Sequence, residues 1–224
     1  MERKIIITDD GSTTIHLPEW DEQYHSKFGA IQEARHVFIQ MGLFKLLERE
    51  GLSEISILEI GFGTGLNALV TWQEANEKKV LIKYTGVEAY PVSLEEVAHL
   101  NFAKMLEEPV APSVFEKMHK IEWETPQHIS EYFYLTKQQK YFQDISDVDK
   151  YDLIYFDAFG AGVQPDLWTE EIFEKMYKAT RNNGVLVTYA AKGSVRRAML
   201  QVGFKVERLP GPPGKREMLR ATKK

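Results

Sequence analysis

Apolar runs of strand length alternate with helical patterns through most of this 224-residue sequence, and few folds fit such an alternation. Strands are predicted at 55–61, 80–90, 151–159 and 184–190, and helices at 65–78, 93–106, 165–181 and 194–203. This order is typical of a mostly parallel sheet with helices on both faces. Two more strands, 204–209 and 216–222, are separated by "PGPPG", which predicts an antiparallel hairpin at the sheet edge.

The remaining segments suggest additions to this α/β core. Residues 1–30 indicate strands and turns, and 31–50 carry apolar residues at helical spacing. We therefore predict a preamble over 1–50 that packs on the core, followed by a main domain over 51–224. The stretch 107–150 is interpreted as an insertion, around 107–140, plus one central strand.

Composition narrows the function classes. The net charge of −5 argues against a general nucleic-acid binder, and the absence of cysteine excludes disulfides and thiolate metal sites. No apolar run reaches the ~18 residues of a membrane span, and the N-terminus lacks the pattern of a signal peptide. His25 and His36 have no partners at metal-ligand spacing. We therefore predict a cytoplasmic protein without a membrane partner or a metal.

Charge is unevenly distributed along the chain. Residues 196–224 contain nine basic and two acidic side chains. A local basic patch can bind phosphates while the whole chain stays acidic, although a solvated basic tail would have the same composition.

A glycine-rich loop, "ILEIGFGTGLN" at 57–67, joins the first predicted strand of the core to its helix. It lacks the lysine of a nucleotide-triphosphate loop, and Leu66 stands where a dinucleotide fingerprint has its third glycine. An acidic residue ahead of the loop would repel a pyrophosphate but can accept hydrogen bonds from an ammonium. S-adenosylmethionine carries an ammonium and no phosphate, so it fits better than a nucleotide, with a plain strand–helix turn as the alternative. Its predicted contacts are Glu59, Gly61, Gly63 and Gly65.

Three further acids follow predicted strands, where open α/β sheets bind ligands. Glu88 is placed to bind both ribose hydroxyls, which supports an adenosine ligand without choosing between cofactors. Asp144 is predicted to end the next strand and to meet the adenine amino group. Asp157 is predicted to face the reacting methyl group. Each of the three also fits an ordinary loop or capping carboxylate.

Taken together, these features resemble class I methyltransferases. More closely, the chain resembles the methyltransferase module of the bifunctional enzymes that complete 5-methylaminomethyl-2-thiouridine at the tRNA wobble position. The segments that carry this resemblance are "EARHVFI" (33–39), "EIGFGTGLN" (59–67), "DAF" (157–159), "QPDLW" (164–168), "GVLVTYAAKGSVRRAMLQVGF" (184–204) and "GKREML" (214–219).

The resemblance implies a Rossmann-like, seven-stranded sheet with helices on both faces and a C-terminal antiparallel hairpin. It also implies S-adenosylmethionine-dependent N-methylation of 5-aminomethyl-(2-thio)uridine, with the tRNA anticodon region as partner. The family's flavin oxidase domain has no room before Lys224, so a separate flavin oxidase or tRNA-modification enzyme is expected to supply the aminomethyl uridine. The family lysine in the loop after "DAF" is missing from 160–165.

The same resemblance assigns roles to individual residues. Asp157 is the expected catalytic residue, which either orients the substrate ammonium and receives its proton, directly or through water, or acts by orientation alone. Trp168 fits a wall of the base pocket or the core equally well, and Glu33 with Arg35 fits the pocket mouth or a surface salt bridge. The expected substrate contacts are Tyr24, Glu33, Arg35, Phe159, Trp168, Arg196, Arg197, Lys215 and Arg216.

Three rival functions remain open at this stage. A class I methyltransferase that acts on a small-molecule amine or a protein would share the cofactor site. A non-catalytic RNA-binding module would keep the fold without methyl transfer. An NAD-linked oxidoreductase is disfavoured by Leu66 in the glycine loop and by the final pair of strands.

Overall fold

The computed structural model describes residues 2–49 and 51–224 and begins with a small antiparallel sheet. Its strands are β1 (Lys4–Ile7), β2 (Thr13–Leu17) and β3 (Glu22–Gln23). A helical stretch follows through α1 (Ala30–Ala34), a π-helical segment (Arg35–Leu43) and α2 (Phe44–Leu47). This agrees with the helix predicted over 31–50, except that it ends at Leu47 and that Glu50 lies outside the described residues.

An eight-stranded mixed sheet forms the centre of the molecule, in the order β10-β11-β9-β8-β4-β5-β7-β6. Its strands are β4 (Glu54–Ile60), β5 (Leu81–Val87), β6 (Gln127–Ser130), β7 (Phe133–Gln138), β8 (Tyr151–Phe156), β9 (Thr180–Thr188), β10 (Lys205–Pro210) and β11 (Glu217–Thr222). Strands β7, β5, β4, β8 and β9 run parallel, and β11 pairs antiparallel with both β9 and β10. The predicted α/β fold with a C-terminal hairpin is confirmed.

Helices cover both faces of this sheet. They are α3 (Leu66–Lys78), α4 (Leu94–Ala98), α5 (Phe102–Met105), α6 (Ala111–Lys120), α7 (Glu170–Ala179) and α8 (Gly193–Gln201), with 3₁₀ turns at Phe142–Asp144 and Pro165–Trp168. Side chains alternate across β4, so Ile57 joins one apolar cluster and Leu58 the other. Both are fully buried, as expected for a central parallel strand. No helix in the described part of the chain has the length and apolar character needed to cross a membrane.

The helix predicted over 165–181 is a 3₁₀ turn followed by α7, and the structure differs from the sequence predictions in three further elements. The sheet has eight strands rather than seven, because β6 forms an antiparallel hairpin with β7 at the edge. The helix predicted over 93–106 is two short helices, although its capping box of Ser93 and Glu96 is present. Asn101 lies at the break and accepts hydrogen bonds from the Thr13 backbone N–H (2.8 Å) and hydroxyl (3.1 Å). The Asn101 backbone N–H donates in turn to the Thr13 hydroxyl (2.9 Å), so it is bonded to β2 and not to the preceding helix.

The third difference concerns Asp144. The strand before it was predicted to run up to this residue, which is wrong, since β7 ends at Gln138. Asp144 instead closes a 3₁₀ turn whose Phe142 is buried, and its own side chain is exposed.

Candidate active site

A cavity of about 1200 Å³ opens at the carboxyl ends of β4, β5 and β8. From β4 the chain continues to β5 on one side, while β8 lies on the other side of β4. The order in which strands are added to the sheet therefore reverses at β4. Open α/β sheets bind ligands at such a switch point. The cavity brings together nine of the residues expected from the sequence: Tyr24, Glu33, Glu59, Gly61, Gly63, Glu88, Asp157, Phe159 and Lys215.

The glycine loop needs its glycines for two separate reasons. Gly61, Gly63 and Gly65 all have positive φ, of 88°, 48° and 74°. Residues with a side chain adopt such angles only with strain. A Cβ on Gly61 would lie 2.7 Å from the Asp157 carbonyl oxygen. The loop therefore follows the end of β8 so closely that a side chain at Gly61 would separate the two.

Asn67 joins the two acids at the base of the cavity. Its side-chain amide donates to Glu59 Oε1 (2.9 Å) and to Asp157 Oδ2 (2.8 Å). Glu59 is 1% exposed, and burial raises the pKa of its carboxyl well above the usual range. The sequence analysis missed Asn67, although its position two residues after the last glycine, in the first turn of the helix, is a recognisable signal.

The residues at this point fit the methionyl end of S-adenosylmethionine. Among the described residues, Asn67 Oδ1 is a buried acceptor without a hydrogen-bond partner, and the nearby Glu59 Oε2 has only the Tyr84 hydroxyl beside it. Buried polar atoms are nearly always paired, and a carboxylate oxygen accepts two hydrogen bonds, so both oxygens can still receive a donor. An α-ammonium supplies three N–H donors and a positive charge, which both acceptors and the Glu59 carboxyl favour.

Glu88 is held by the backbone on both sides of its carboxylate. Gly63 N–H donates to Oε2 (3.0 Å), and Tyr90 N–H donates to Oε1 (2.9 Å). A carboxylate accepts about four hydrogen bonds, so each oxygen can still receive one from a ribose hydroxyl. The arrangement fixes Glu88 where the sequence predicts the ribose acid.

Asp157 follows β8 directly, and its carboxylate forms part of the cavity wall. Burial raises its pKa to about 7, and the neighbouring Glu33 carboxylate acts in the same direction. The Asn67 hydrogen bond and the Lys215 ammonium lower this pKa. The pKa of Asp157 therefore lies near neutral pH, where this carboxyl can exchange a proton.

Two half-buried histidines hold Thr64 in the glycine loop. His25 Nε2 lies 3.1 Å from the Thr64 hydroxyl, and its Nδ1 lies 3.0 Å from the Thr14 hydroxyl. His119 donates to the Thr64 carbonyl (3.1 Å). Burial lowers the pKa of each imidazole to about 4, so both remain neutral at physiological pH. The preamble and α6 thus position the loop from two sides.

Replacing His119 by leucine is expected to weaken S-adenosylmethionine binding by about twofold to tenfold, the worth of one hydrogen bond. The Thr64 carbonyl would lose its hydrogen-bond donor, and the glycine loop would no longer be fixed in position. Calorimetric titration measures the effect. His128→Leu, at an exposed position of β6, serves as the matched control. An unchanged dissociation constant together with a lower melting temperature would limit His119 to a purely structural role.

Other residues expected at the site lie elsewhere. Of the residues described, those that line the cavity include none of Gly65, Arg35, Asp144, Trp168, Arg196, Arg197 and Arg216. Trp168 is 5% exposed, packs on Phe156 (5.0 Å between ring centroids) and donates to the Phe159 carbonyl (2.7 Å). Its prediction as a pocket wall is wrong, because the 3₁₀ turn directs the indole into the core.

The basic residues outside the cavity are surface groups. Arg35 contacts Gln73 (2.8 Å) and Glu74 (3.9 Å) on α3 rather than the cavity mouth. Arg197 and Arg216 are exposed, and Arg196 is half-buried. Whether any of them contacts a phosphate stays a prediction.

The cavity is acidic overall. Seven carboxyl side chains line it, against three basic ones, Arg3, Lys27 and Lys215. The seven are Glu22, Glu33, Glu59, Glu88, Glu96, Asp157 and Asp166. Clefts lined by one sign of charge concentrate ligands of the opposite sign, so this cavity favours cations.

Solved structures with the same fold include two informative ones. MnmC2 from Aquifex aeolicus is 26% identical, with a TM-score of 0.78 over 100% of this chain and 70% of that chain. A spermidine synthase from Thermotoga maritima has a TM-score of 0.59 at 13% identity, over 99% of this chain and 69% of that chain, and indicates the fold alone.

Sequence relatives agree with this likeness. A protein of Leptospira borgpetersenii serovar Hardjo-bovis is 30% identical over 224 residues, which cover 89% of this chain and 32% of that protein. One from Aromatoleum aromaticum is 27% identical and covers 97% of this chain and 35% of that protein. Both are named tRNA 5-methylaminomethyl-2-thiouridine biosynthesis bifunctional protein MnmC. The chain spans about a third of the length of these curated relatives.

A family match covers the second half of the sequence. Residues 103–224 match the family described as S-adenosyl-L-methionine-dependent methyltransferase. The match includes β8, Asp157 and the C-terminal hairpin, while the glycine loop that fits the cofactor lies before it. The chain belongs to the S-adenosyl-L-methionine-dependent methyltransferase family.

Proposed function

We propose that this chain methylates the aminomethyl nitrogen of 5-aminomethyl-(2-thio)uridine at the wobble position of tRNA. The observation that carries the proposal is the acidic cavity that ends at Asp157, beside the glycine loop. A primary amine with a pKa of ~10 arrives as an ammonium, which this cavity attracts. The names of the MnmC relatives and of MnmC2 favour the tRNA nucleoside among possible amines.

In this proposal Glu59 and Asn67 hold the cofactor's ammonium, and Glu88 holds its ribose. When bound, the cofactor supplies a methyl group on a sulfonium, whose carbon–sulfur bond breaks as the amine nitrogen bonds to the carbon. Asp157 orients the substrate ammonium and receives its proton. With a pKa of about 7, Asp157 is a stronger base than an ordinary aspartate, whose pKa is ~3.9.

The rest of the cavity is assigned to the base and its tRNA. Tyr24 and Phe159 pack edge to face (5.0 Å between centroids) and would form a wall against the uracil ring. The basic residues Arg196, Arg197 and Arg216 are proposed to contact anticodon phosphates. A flavin oxidase or another tRNA-modifying enzyme would supply the aminomethyl uridine.

The deciding experiment is methyl transfer from labelled S-adenosylmethionine to tRNA that lacks the terminal methyl group, followed by digestion to nucleosides. Label is expected in 5-methylaminomethyl uridine derivatives. Fully modified tRNA is the matched control and should take up no label. Cofactor binding without label in any nucleoside would overturn the proposal.

A second candidate substrate is a small cationic amine, which the excess of carboxylates in the cavity also favours. Salt dependence separates the two. Binding of tRNA should weaken steeply between 50 and ~200 mM salt because phosphate contacts release counterions. Transfer to free small amines, with weak and salt-insensitive tRNA binding, would support the second candidate.

A further inference from the structure

Lys215 lies inside the cavity rather than on the outer surface. It follows Gly214 in the loop between β10 and β11, and its ammonium forms an ion pair with the Glu33 carboxylate on α1. The side chains of Lys215 and Glu33 are 32% and 11% exposed. The Lys215 ammonium also lies 3.8 Å from the centre of the Tyr189 ring. A carboxylate and an aromatic face together are a favourable environment for an ammonium group.

The protein holds both walls of this environment without help from Lys215. The Ser26 backbone N–H donates to Glu33 Oε2 (2.9 Å), which leaves Oε1 for the ammonium. The Tyr189 hydroxyl donates to the Ala158 carbonyl (2.8 Å), which fixes the ring. A site whose walls are anchored in this way would remain when its cation leaves.

The environment adjoins the proposed catalytic group. The Glu33 and Lys215 charges both act on Asp157, in opposite directions, and all three side chains line the same cavity. Ala158, which holds the Tyr189 ring, is the residue next to Asp157 in the chain. An ammonium bound between Glu33 and Tyr189 is therefore a neighbour of Asp157.

We propose that Glu33 and the Tyr189 ring form the ammonium subsite for the acceptor amine, which Lys215 fills until the acceptor displaces it. This inference rests on the proposed function for the identity of the acceptor. One ammonium replaces another, so the charge around Asp157 is conserved. Lysine has a flexible four-carbon stem, and the released ammonium can pair with a phosphate of the incoming tRNA.

The first test asks whether removing Lys215 opens the subsite to a free ammonium. Methylammonium binding is measured by saturation-transfer NMR, with sodium chloride at equal ionic strength as reference. Lys215→Ala should bind methylammonium at least about tenfold more tightly than the wild type, because an attached competitor is gone. Lys27→Ala is the matched control, since Lys27 lines the same cavity over the Phe28 ring (5.5 Å).

A double variant and an inhibition assay complete this test. Adding Glu33→Gln to Lys215→Ala should remove the gain. Methylammonium should also inhibit methyl transfer by Lys215→Ala competitively with the acceptor. Equal methylammonium binding in Lys215→Ala and wild type, a gain that survives Glu33→Gln, or inhibition independent of acceptor concentration would each overturn the inference.

The second test uses the wild-type chain and does not depend on a variant folding. The ε-methylene group of Lys215 is bonded to the ammonium nitrogen that lies over the Tyr189 ring, so its protons should be shifted upfield in lysine-labelled protein. Adding tRNA with the aminomethyl uridine should return these chemical shifts to ordinary values, whereas retention of the upfield shift in the complex would refute displacement.

The outcomes for the subsite and for the proposed function can be told apart. If label is transferred to tRNA but Lys215→Ala binds methylammonium no more tightly than the wild type, the proposed function stands and the subsite is rejected. A methylammonium gain without label in tRNA would reject the tRNA substrate instead.

Discussion

Replacing Asp157 by asparagine is expected to lower the rate of methyl transfer by ~10²–10⁴-fold, the usual contribution of a positioned acid or base. Asparagine keeps the size of the side chain and an oxygen that can accept the Asn67 hydrogen bond (2.8 Å in the wild type). It cannot receive the proton of the substrate ammonium. Binding of S-adenosylmethionine should change much less, because Glu59 and Glu88 remain. Single-turnover transfer to tRNA and calorimetric titration of the cofactor measure the two effects separately.

The pH profile gives this prediction a second readout. The ionised form of Asp157 is the one that accepts a proton, so the rate at saturating cofactor, where the Glu59 titration does not limit binding, should rise with pH through about 7. In Asp157→Asn the pH at which the rate rises should move toward ~10, the pKa of the free amine. Asp147→Asn is the matched control, since Asp147 pairs with Lys150 (2.7 Å) outside the cavity lining. Full activity in Asp157→Asn, or an unchanged profile, would exclude Asp157 as the proton acceptor.

The sequence was sufficient to predict the parts of the site that lie at strand ends. Glu59, Glu88 and Asp157 belong to three parallel strands whose carboxyl ends meet at one edge, so their convergence follows from the order of strands and helices. The glycine loop could also be predicted from the sequence, because glycine is the usual residue at positions of positive φ and three alternate glycines therefore indicate such a loop. Both are local features that the topology then brings together.

Contacts between distant segments could not be predicted in the same way. His119 and Thr64 are 55 residues apart, and Lys215 and Glu33 are 182 apart. No periodicity fixes how α6 or the C-terminal hairpin packs against the loop, so the sequence predicts Lys215 as a substrate contact but not its pairing with Glu33. The prediction for Trp168 was wrong for a related reason. An aromatic residue near the start of a helix fits the core and a pocket wall equally well until the conformation of its own turn, Pro165–Trp168, is known.

Replacing Glu59 by glutamine is expected to weaken S-adenosylmethionine binding by ~30-fold or more, because removing one partner of a buried charge pair costs ~2–5 kcal/mol. The change keeps the shape of the side chain and an oxygen for Asn67 (2.9 Å). It removes the negative charge from a position that is 1% exposed, where water cannot replace it. S-adenosylhomocysteine carries the same ammonium and should be weakened to a similar extent. Calorimetric titration of both ligands measures this, with the exposed Glu116→Gln as the control.

Proton release distinguishes Glu59 from its neighbours. Burial, with Asp157 nearby, raises the pKa of Glu59 well above its usual range, so its protonated form persists to higher pH in the free protein. The ionised form binds the ammonium, so cofactor binding should release a proton and the affinity should rise with pH until that pKa is passed. Titrations in buffers of different ionisation enthalpy count the protons, and Glu59→Gln should lower the count. An undiminished count in Glu59→Gln, and its loss in Asp157→Asn, would assign the proton to Asp157 and remove Glu59 from the role proposed for it.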